Sequence, residues 1–211
     1  MAFYRCMTNS GGGGGGGTSA AEIIEGTSSI VTDATKVKAQ IFYQDSVLTS
    51  FDGPNVTEVA TQAFRQTGSL TSLTLGALTK IENYAFYQTG ATGATFDVDL
   101  NNATVATQAF FGSKVRNVTG TWNSAGASCL RNCTQLKKVE FNLSAFPNDF
   151  LYGDTALEEI YLSYQGGVVT AAANALNSVP NTCKVYVPAA LKSSYQADTV
   201  WGRFDIQELT I

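Results

Sequence analysis

The chain has 211 residues, 44% of them hydrophobic and 14% charged, with a net charge of −4; charged residues usually make up about a quarter of a chain. It contains no histidine, which removes the commonest general base and metal ligand. The acidic balance argues against nucleic acid or an anionic membrane as the main partner, because both need a basic face, and leaves Thr, Ser, Asn and Gln to supply most of a polar surface suited to neutral hydrogen bonding.

Residues 1–10, "MAFYRCMTNS", form a head in which Phe3, Tyr4 and Met7 crowd around Arg5. Ten residues cannot build a core of their own, and exposed aromatics call for cover. These four side chains are therefore read as an anchor for another virion or tail protein, or for a second copy of the chain. The stretch lacks the apolar segment of a secretory signal. No apolar run of about 18 residues occurs anywhere, so no membrane insertion is expected. Residues 11–19 open with seven consecutive glycines and read as a flexible linker. Residues 20–36 read as a lid over the first unit of the body, and the body with its lid runs from 20 to 211.

From Val37 onward the sequence repeats itself. Large apolar anchors stand at Phe42, Phe64, Phe86, Phe110, Leu130, Leu151 and Leu176, at gaps of 22, 22, 24, 20, 21 and 25 residues. Five residues before each stand Val37, Val59, Ile81, Val105, Ala125, Phe146 and Ala171. A spacing of five is not a helical pair; it suits one irregular turn that points both side chains inward. About nine residues after each anchor come Phe51, Leu73, Phe96, Val118, Val139, Ile160 and Val185, followed two residues later by Gly53, Leu75, Val98, Gly120, Phe141, Leu162 and Val187. This period-2 alternation marks a half-buried strand, and "LTSLTL", "LKKVEF" and "LEEIYL" match L-x-x-L-x-L. One unit cannot bury its apolar edge alone; stacked units can. The expected fold is a leucine-rich repeat solenoid, mostly β, of about seven repeats of about 22 residues, with a parallel sheet along one side. The lid and residues 189–211 would cap its two ends.

Residues flanking each central strand position point away from the core. They are Ser50 and Asp52, Ser72 and Thr74, Thr95 and Asp97, Asn117 and Thr119, Lys138 and Glu140, Glu159 and Tyr161, and Lys184 and Tyr186. Stacked, they make one surface, small and hydroxylic in its first half, charged and aromatic in its second. It reads as a ligand-binding face with Tyr161 and Tyr186 as anchors; the same positions also suit a solvated sheet stabilised by its own cross-strand pairs.

The pattern [IV]-x-x-x-A-F followed by L-x-x-[LIV]-x-[LIV], carried by "VATQAF", "IENYAF" and "VATQAF" again at 105–110, resembles the BspA-type leucine-rich repeat family. The ending "CKVYVPAALKSSYQADTVWGRFDI" resembles that family's C-terminal cap, and "IIEGTSSIVTDATKV" resembles leaders before such arrays in phage and prophage proteins. The resemblance implies a non-catalytic adhesin or binding scaffold, on a phage tail or a bacterial surface, that meets a host-surface protein or glycan. The chain departs from the general leucine-rich pattern where Leu78 replaces the expected Asn, and where "CL", "FL" and "AL" replace "AF" from residue 125 onward.

Chemistry finds little purchase. Asp97 and Asp99 share a strand face nearly 7 Å apart, but glycoside hydrolysis needs carboxylates that oppose each other across a sugar. Cys6, Cys129, Cys133 and Cys183 form no CxxC pair, so no zinc site is expected, and they read as small buried residues. Trp122 fits either a sugar-binding loop or packing between repeats; Trp201 reads as cap core. No cofactor, metal or catalytic residue is assigned.

Overall fold

The computed structural model describes residues 28–210. The head with Phe3, Tyr4, Arg5 and Met7, the glycine run, Cys6 and the first part of the lid lie outside the described residues.

The L-x-x-L-x-L segments become strands because alternate side chains find opposite environments. β3 (Ser50–Gly53), β9 (Lys138–Phe141), β11 (Glu159–Leu162) and β13 (Lys184–Val187) each alternate outer and buried residues. With β1 (Ser29–Val31), β5 (Ser72–Leu75), the first halves of β7 (Phe96–Val105) and β8 (Val115–Ala125), and β14 (Asp205–Glu208), they make the first wall of a solenoid. The wall therefore holds nine described strands. Seven come from the repeats, one from the segment read as a lid and one from the C-terminal cap. Residues five before the anchors lie in a second wall of shorter strands: β2 (Lys36–Val37), β4 (Glu58–Val59), β6 (Leu78–Ile81), the second halves of β7 and β8, β10 (Ala145–Phe146) and β12 (Thr170–Ala171). β7 and β8 are long enough to belong to both walls. They join them into a nine-stranded sheet in the order β14-β13-β11-β9-β8-β7-β6-β4-β2, beside a β1-β3-β5 sheet and a β10-β12 pair. Every pairing is parallel.

Between the second wall and the next first-wall strand lies a turn with two left-handed residues placed around every anchor but Leu176, which has one, Ser178. Gln40 and Gln44 flank Phe42, Gln62 and Gln66 flank Phe64, and Tyr84 and Gln88 flank Phe86, with φ between 52° and 59°. Left-handed backbone costs a residue with a side chain roughly 1–2 kcal/mol. The hydrogen bonding offsets it. The N–H groups of Gln62, Phe64 and Gln66 donate to Asn83 O, Ala85 O and Tyr87 O of the next coil, while those of Ala63 and Arg65 donate back inside the turn. The glutamine amides then form their own ladders, Gln40 to Gln62 at 2.7 Å and Gln44 to Gln66 to Gln88 at 3.1 and 3.2 Å. This is the irregular turn that the five-residue spacing demands.

All seven anchors are buried. Phe42, Phe64, Phe86 and Phe110 stack in a column at 5.0–5.4 Å with nearly parallel rings. Leu78 is fully buried and pairs in register with Leu100, so an apolar contact takes the place of the Asn that turns the chain in other leucine-rich repeats. Trp122 belongs to the core, packed on Phe141 and Phe150, with its Nε1 donating to Glu140 O at 2.7 Å. The C-terminal cap contains α1 (Lys192–Ala197), and besides the β13–β14 pairing it holds the last coil by side-chain bonds: Trp201 Nε1 donates to Val169 O, Val169 N donates to the Tyr195 phenol, and Arg203 Nη2 donates to Leu176 O.

One coil departs from the sequence register. Anchor spacing puts Phe96 level with Val118, flanked by Thr95 and Asp97. The ladder instead pairs Val98 with Val118, Asp97 with Asn117 and Asp99 with Thr119. The loop before β7 is longer than its counterparts and delays the strand by two residues, so Asp99 takes the row position expected of Asp97, and Thr95 precedes the strand.

Candidate binding face

Two outward rows cross the first wall. The inner row runs Asp97, Asn117, Lys138, Glu159, Lys184 and Asp205, each paired with the next across a parallel ladder. The outer row includes Glu140, Tyr161, Tyr186 and Gln207, likewise in register. On the N-terminal side Ser50 pairs with Ser72, and Asp52 with Thr74. The structure thus gathers the candidate residues on one face, except Thr95.

Charges on this face are matched locally. Asp97 accepts from Arg116 Nη2 at 2.8 Å and from Asn117 Nδ2 at 3.0 Å, and the Arg116 bond holds its carboxyl below the usual range. Asp99 accepts from the Thr119 hydroxyl. Lys138 Nζ lies 2.8 Å from Glu140 Oε1, and the other Glu140 oxygen accepts from Gly120 N at 3.1 Å.

The aromatic end is the most organised part. Tyr161 and Tyr186 stack at 4.4 Å with an interplanar angle of 11°. Lys138 Nζ sits 4.5 Å over the other face of Tyr161. Both phenols donate to Glu159, at 3.1 Å from Tyr161 and 3.5 Å from Tyr186. Partial burial, reinforced by Glu159, pushes the Tyr161 phenol up to about 12, so it keeps its proton and stays a donor. With both faces covered, Tyr161 offers a partner its edge. Cross-strand contacts have already fixed these side chains, so little rotamer entropy remains to be lost on binding.

Beside this pair lies a groove of about 400 Å³ lined by Gly120, Glu140, Phe141, Tyr161, Ser163 and Leu209, among others. Glu140 and Tyr161 were legible in the strand pattern. Ser163 and Leu209 were not, because they follow strands and have no periodic position. Among the described residues Cys129, Cys133 and Cys183 are buried free thiols, and burial raises all three, Cys183 to about 12. Among the described residues no group of three or more His, Cys, Asp or Glu is placed to hold a metal ion, and no helix is long and apolar enough to cross a membrane.

The family model for the BspA type Leucine rich repeat region matches in 6 copies, over residues 35–153 and 79–196. Among solved structures, the pneumococcal vaccine antigen PcpA is similar at a TM-score of 0.54 and 17% identity, over 87% of this chain and 41% of that chain. The chain thus spans about two fifths of that antigen's length, and the likeness is one of fold. A leucine-rich repeat protein from Bacteroides ovatus is 14% identical over 86% of this chain and 83% of that one, with a TM-score of 0.30. No curated protein matches the sequence.

Proposed function

The chain belongs to the BspA-type leucine-rich repeat family, and we propose that it is a non-catalytic binding module of the adhesion kind, meeting a host-surface protein or glycan through its first wall. The observation that carries this reading is the Tyr161–Tyr186 pair, held by Lys138 and Glu159 beside an open groove. A solvated sheet needs no such fixed aromatic edge, whereas tyrosine held rigid in a charged surround is what binding hot spots use.

The carrier we infer is a phage tail or virion, with residues 1–10 as the anchor to other particle proteins. Its support is the leader-like stretch at 23–37 and the aromatic head. A second reading, display on a bacterial cell surface, takes support from the fold shared with a bacterial vaccine antigen.

The test is a glycan array and a host-cell binding assay with the full chain and with a variant carrying Tyr161→Ala and Tyr186→Ala. The variant should keep its melting temperature within a few degrees and lose tenfold or more in attachment, the loss of a hot spot. Undiminished attachment would move the site away from the first wall. Mass spectrometry of purified particles against washed cell envelopes separates the two carriers.

A further inference from the structure

A second surface runs along the turns, away from the first wall. The residue after each anchor points outward there, and in successive coils these residues stack into a ladder. Arg65 lies 5.5 Å from the Tyr43 ring and 5.1 Å from Tyr87. Tyr87 stacks on Phe111 at 5.0 Å, and Arg131 lies 5.8 Å from Phe111 and 4.5 Å from Tyr152. Stacking consumes the ring faces, so the ridge presents ring edges and guanidinium N–H groups, all of them positive in electrostatic sense.

The two arginines hold equivalent places but differ in one respect. Arg131 donates to Asp149 Oδ2 at 2.7 Å. Asp149 is the left-handed residue two before the next anchor. In the coil that follows Arg65 that position belongs to Tyr84, also left-handed, whose ring lies 5.6 Å from the guanidinium. Arg65 therefore has three tyrosine rings around it and, among the described residues, neither a carboxylate nor any hydrogen-bond acceptor. Its Nε, like that of Arg131, is shielded from solvent without a partner, so the difference between the two lies in the Nη groups, which Asp149 engages at Arg131 and nothing engages at Arg65 among the described residues. A partly buried guanidinium with unspent Nη donors favours a carboxylate acceptor, and the chain's own second copy of the arrangement takes one through Nη1.

We propose that the turn ridge at Arg65 is a docking site for a carboxylate offered by an acidic segment of a protein partner. The carboxylate takes the place that Asp149 fills beside Arg131. Shape argues for a protein over a small acid or a saccharide. A ridge does not enclose a ligand as a small-molecule pocket does, while Tyr and Arg are the residues that dominate protein–protein hot spots. Charge agrees over the coils that follow, because the turn segments 61–67, 83–89 and 107–113 carry Arg65 and no acidic residue, although the equivalent segments 39–45 and 148–154 hold Asp45, Asp149 and Asp154.

The experiment titrates the full chain with a fluorescently labelled octaglutamate peptide at low ionic strength, with a heparin oligosaccharide as a second arm. The peptide should bind saturably and shift the Arg65 Nε–H resonance of the unaltered chain. Arg65→Gln should weaken it tenfold or more, as loss of a hot-spot arginine does. Tyr84→Asp should block it equally by filling the site from within, as Asp149 does at Arg131, while leaving melting unchanged or raised. The Tyr161→Ala, Tyr186→Ala variant should bind the peptide like the parent, which keeps this site separable from the first wall. Absence of peptide binding, an unmoved Arg65 resonance, undiminished binding by Tyr84→Asp, or binding of heparin alone overturns the proposal.

Discussion

Three residues past the five middle anchors, Phe64 to Leu151, a column of small polar side chains runs through the interior: Thr67, Thr89, Ser113, Cys133 and Asp154, all buried. Three of the five tie their coil to the anchor carbonyl of the coil before, while the Ser113 hydroxyl lies 3.7 Å from Cys133 Sγ. Thr67 Oγ1 donates to Phe42 O, Thr89 Oγ1 to Phe64 O, and Cys133 Sγ to Phe110 O. Asp154 breaks the pattern. One of its oxygens accepts from Cys133 N at 2.7 Å, and the other has no partner among the described residues. Burial pushes this carboxyl well above the usual aspartate range, so the folded chain holds a proton that the unfolded chain releases near pH ~4. The sign follows: this contribution is fully present below pH ~4 and is lost as pH rises toward the folded-state value. Asp154→Asn keeps the acceptor and removes the titration. Its stability relative to the parent should be flat below pH ~4 and then grow by up to about 1.4 kcal/mol per pH unit. Urea unfolding of both chains at pH 4 and pH 7 checks this; a pH-independent difference would mean the carboxylate is solvated.

At the scale of the element, the coil is fixed by a few positions that admit one kind of residue. Phe86 is in contact with Phe64, Phe110 and Phe96, so Phe86→Ala should cost about 3–5 kcal/mol by denaturant unfolding. Gly126 is set by a different constraint. A Cβ there would lie 2.3 Å from Thr107 N and 2.6 Å from Ala106 C, both backbone of the preceding coil. Gly126→Ala must therefore push two coils apart and should cost more than Gly93→Ala, where φ is +84° but the space is open; the second should cost about 1–2 kcal/mol, the left-handed penalty alone. Equal losses would sink the idea that coil spacing is set at Gly126. These two residues also show what the sequence could say. The Phe86 class was readable because large apolar side chains recur at a fixed period and have nowhere to go but inside. The left-handed turn was not, because Gln62, Gln66 and Gln88 stand where Gly is the usual sign, and only hydrogen bonds to the next coil make them stable there. The shift in β7 stayed hidden for a related reason: counting from Phe86 carries no information about how the loop at 90–95 folds. On the face, alternation identified Tyr161 and Glu140, but the groove beside them also draws on Leu209, which arrives from the chain's far end. The Arg65 ridge did leave a periodic mark, one residue after the anchor, in a mixture of Tyr, Arg and Phe that hydropathy does not register.

The whole molecule behaves as a stack in which each coil touches its neighbours, so stability is set by nearest-neighbour interfaces and by the ends. At the C-terminal end the interface is the cap. Trp201 is buried, packs on Phe146, Tyr195 and Phe204, and donates to Val169 O. Trp201→Ala removes that contact and leaves Val169 O without its donor, a loss of about 3–5 kcal/mol. In a globular core such a loss would spread through the molecule. In a stack it should fray one end, so amide exchange should quicken first in β13 and β11 while β4 and β6, several coils away, keep their protection. The proposed binding site would follow the same gradient, because Tyr161 and Tyr186 lie on those two strands. Attachment through the first wall should therefore fail at a temperature below the global melt in Trp201→Ala, whereas Phe86→Ala, destabilised to a similar degree but from the middle, should keep the two together. Hydrogen exchange read strand by strand, alongside binding measured across the melt, decides it; uniform loss of protection in Trp201→Ala would show that the solenoid unfolds as a single unit and that the cap has no separate hold on the binding face.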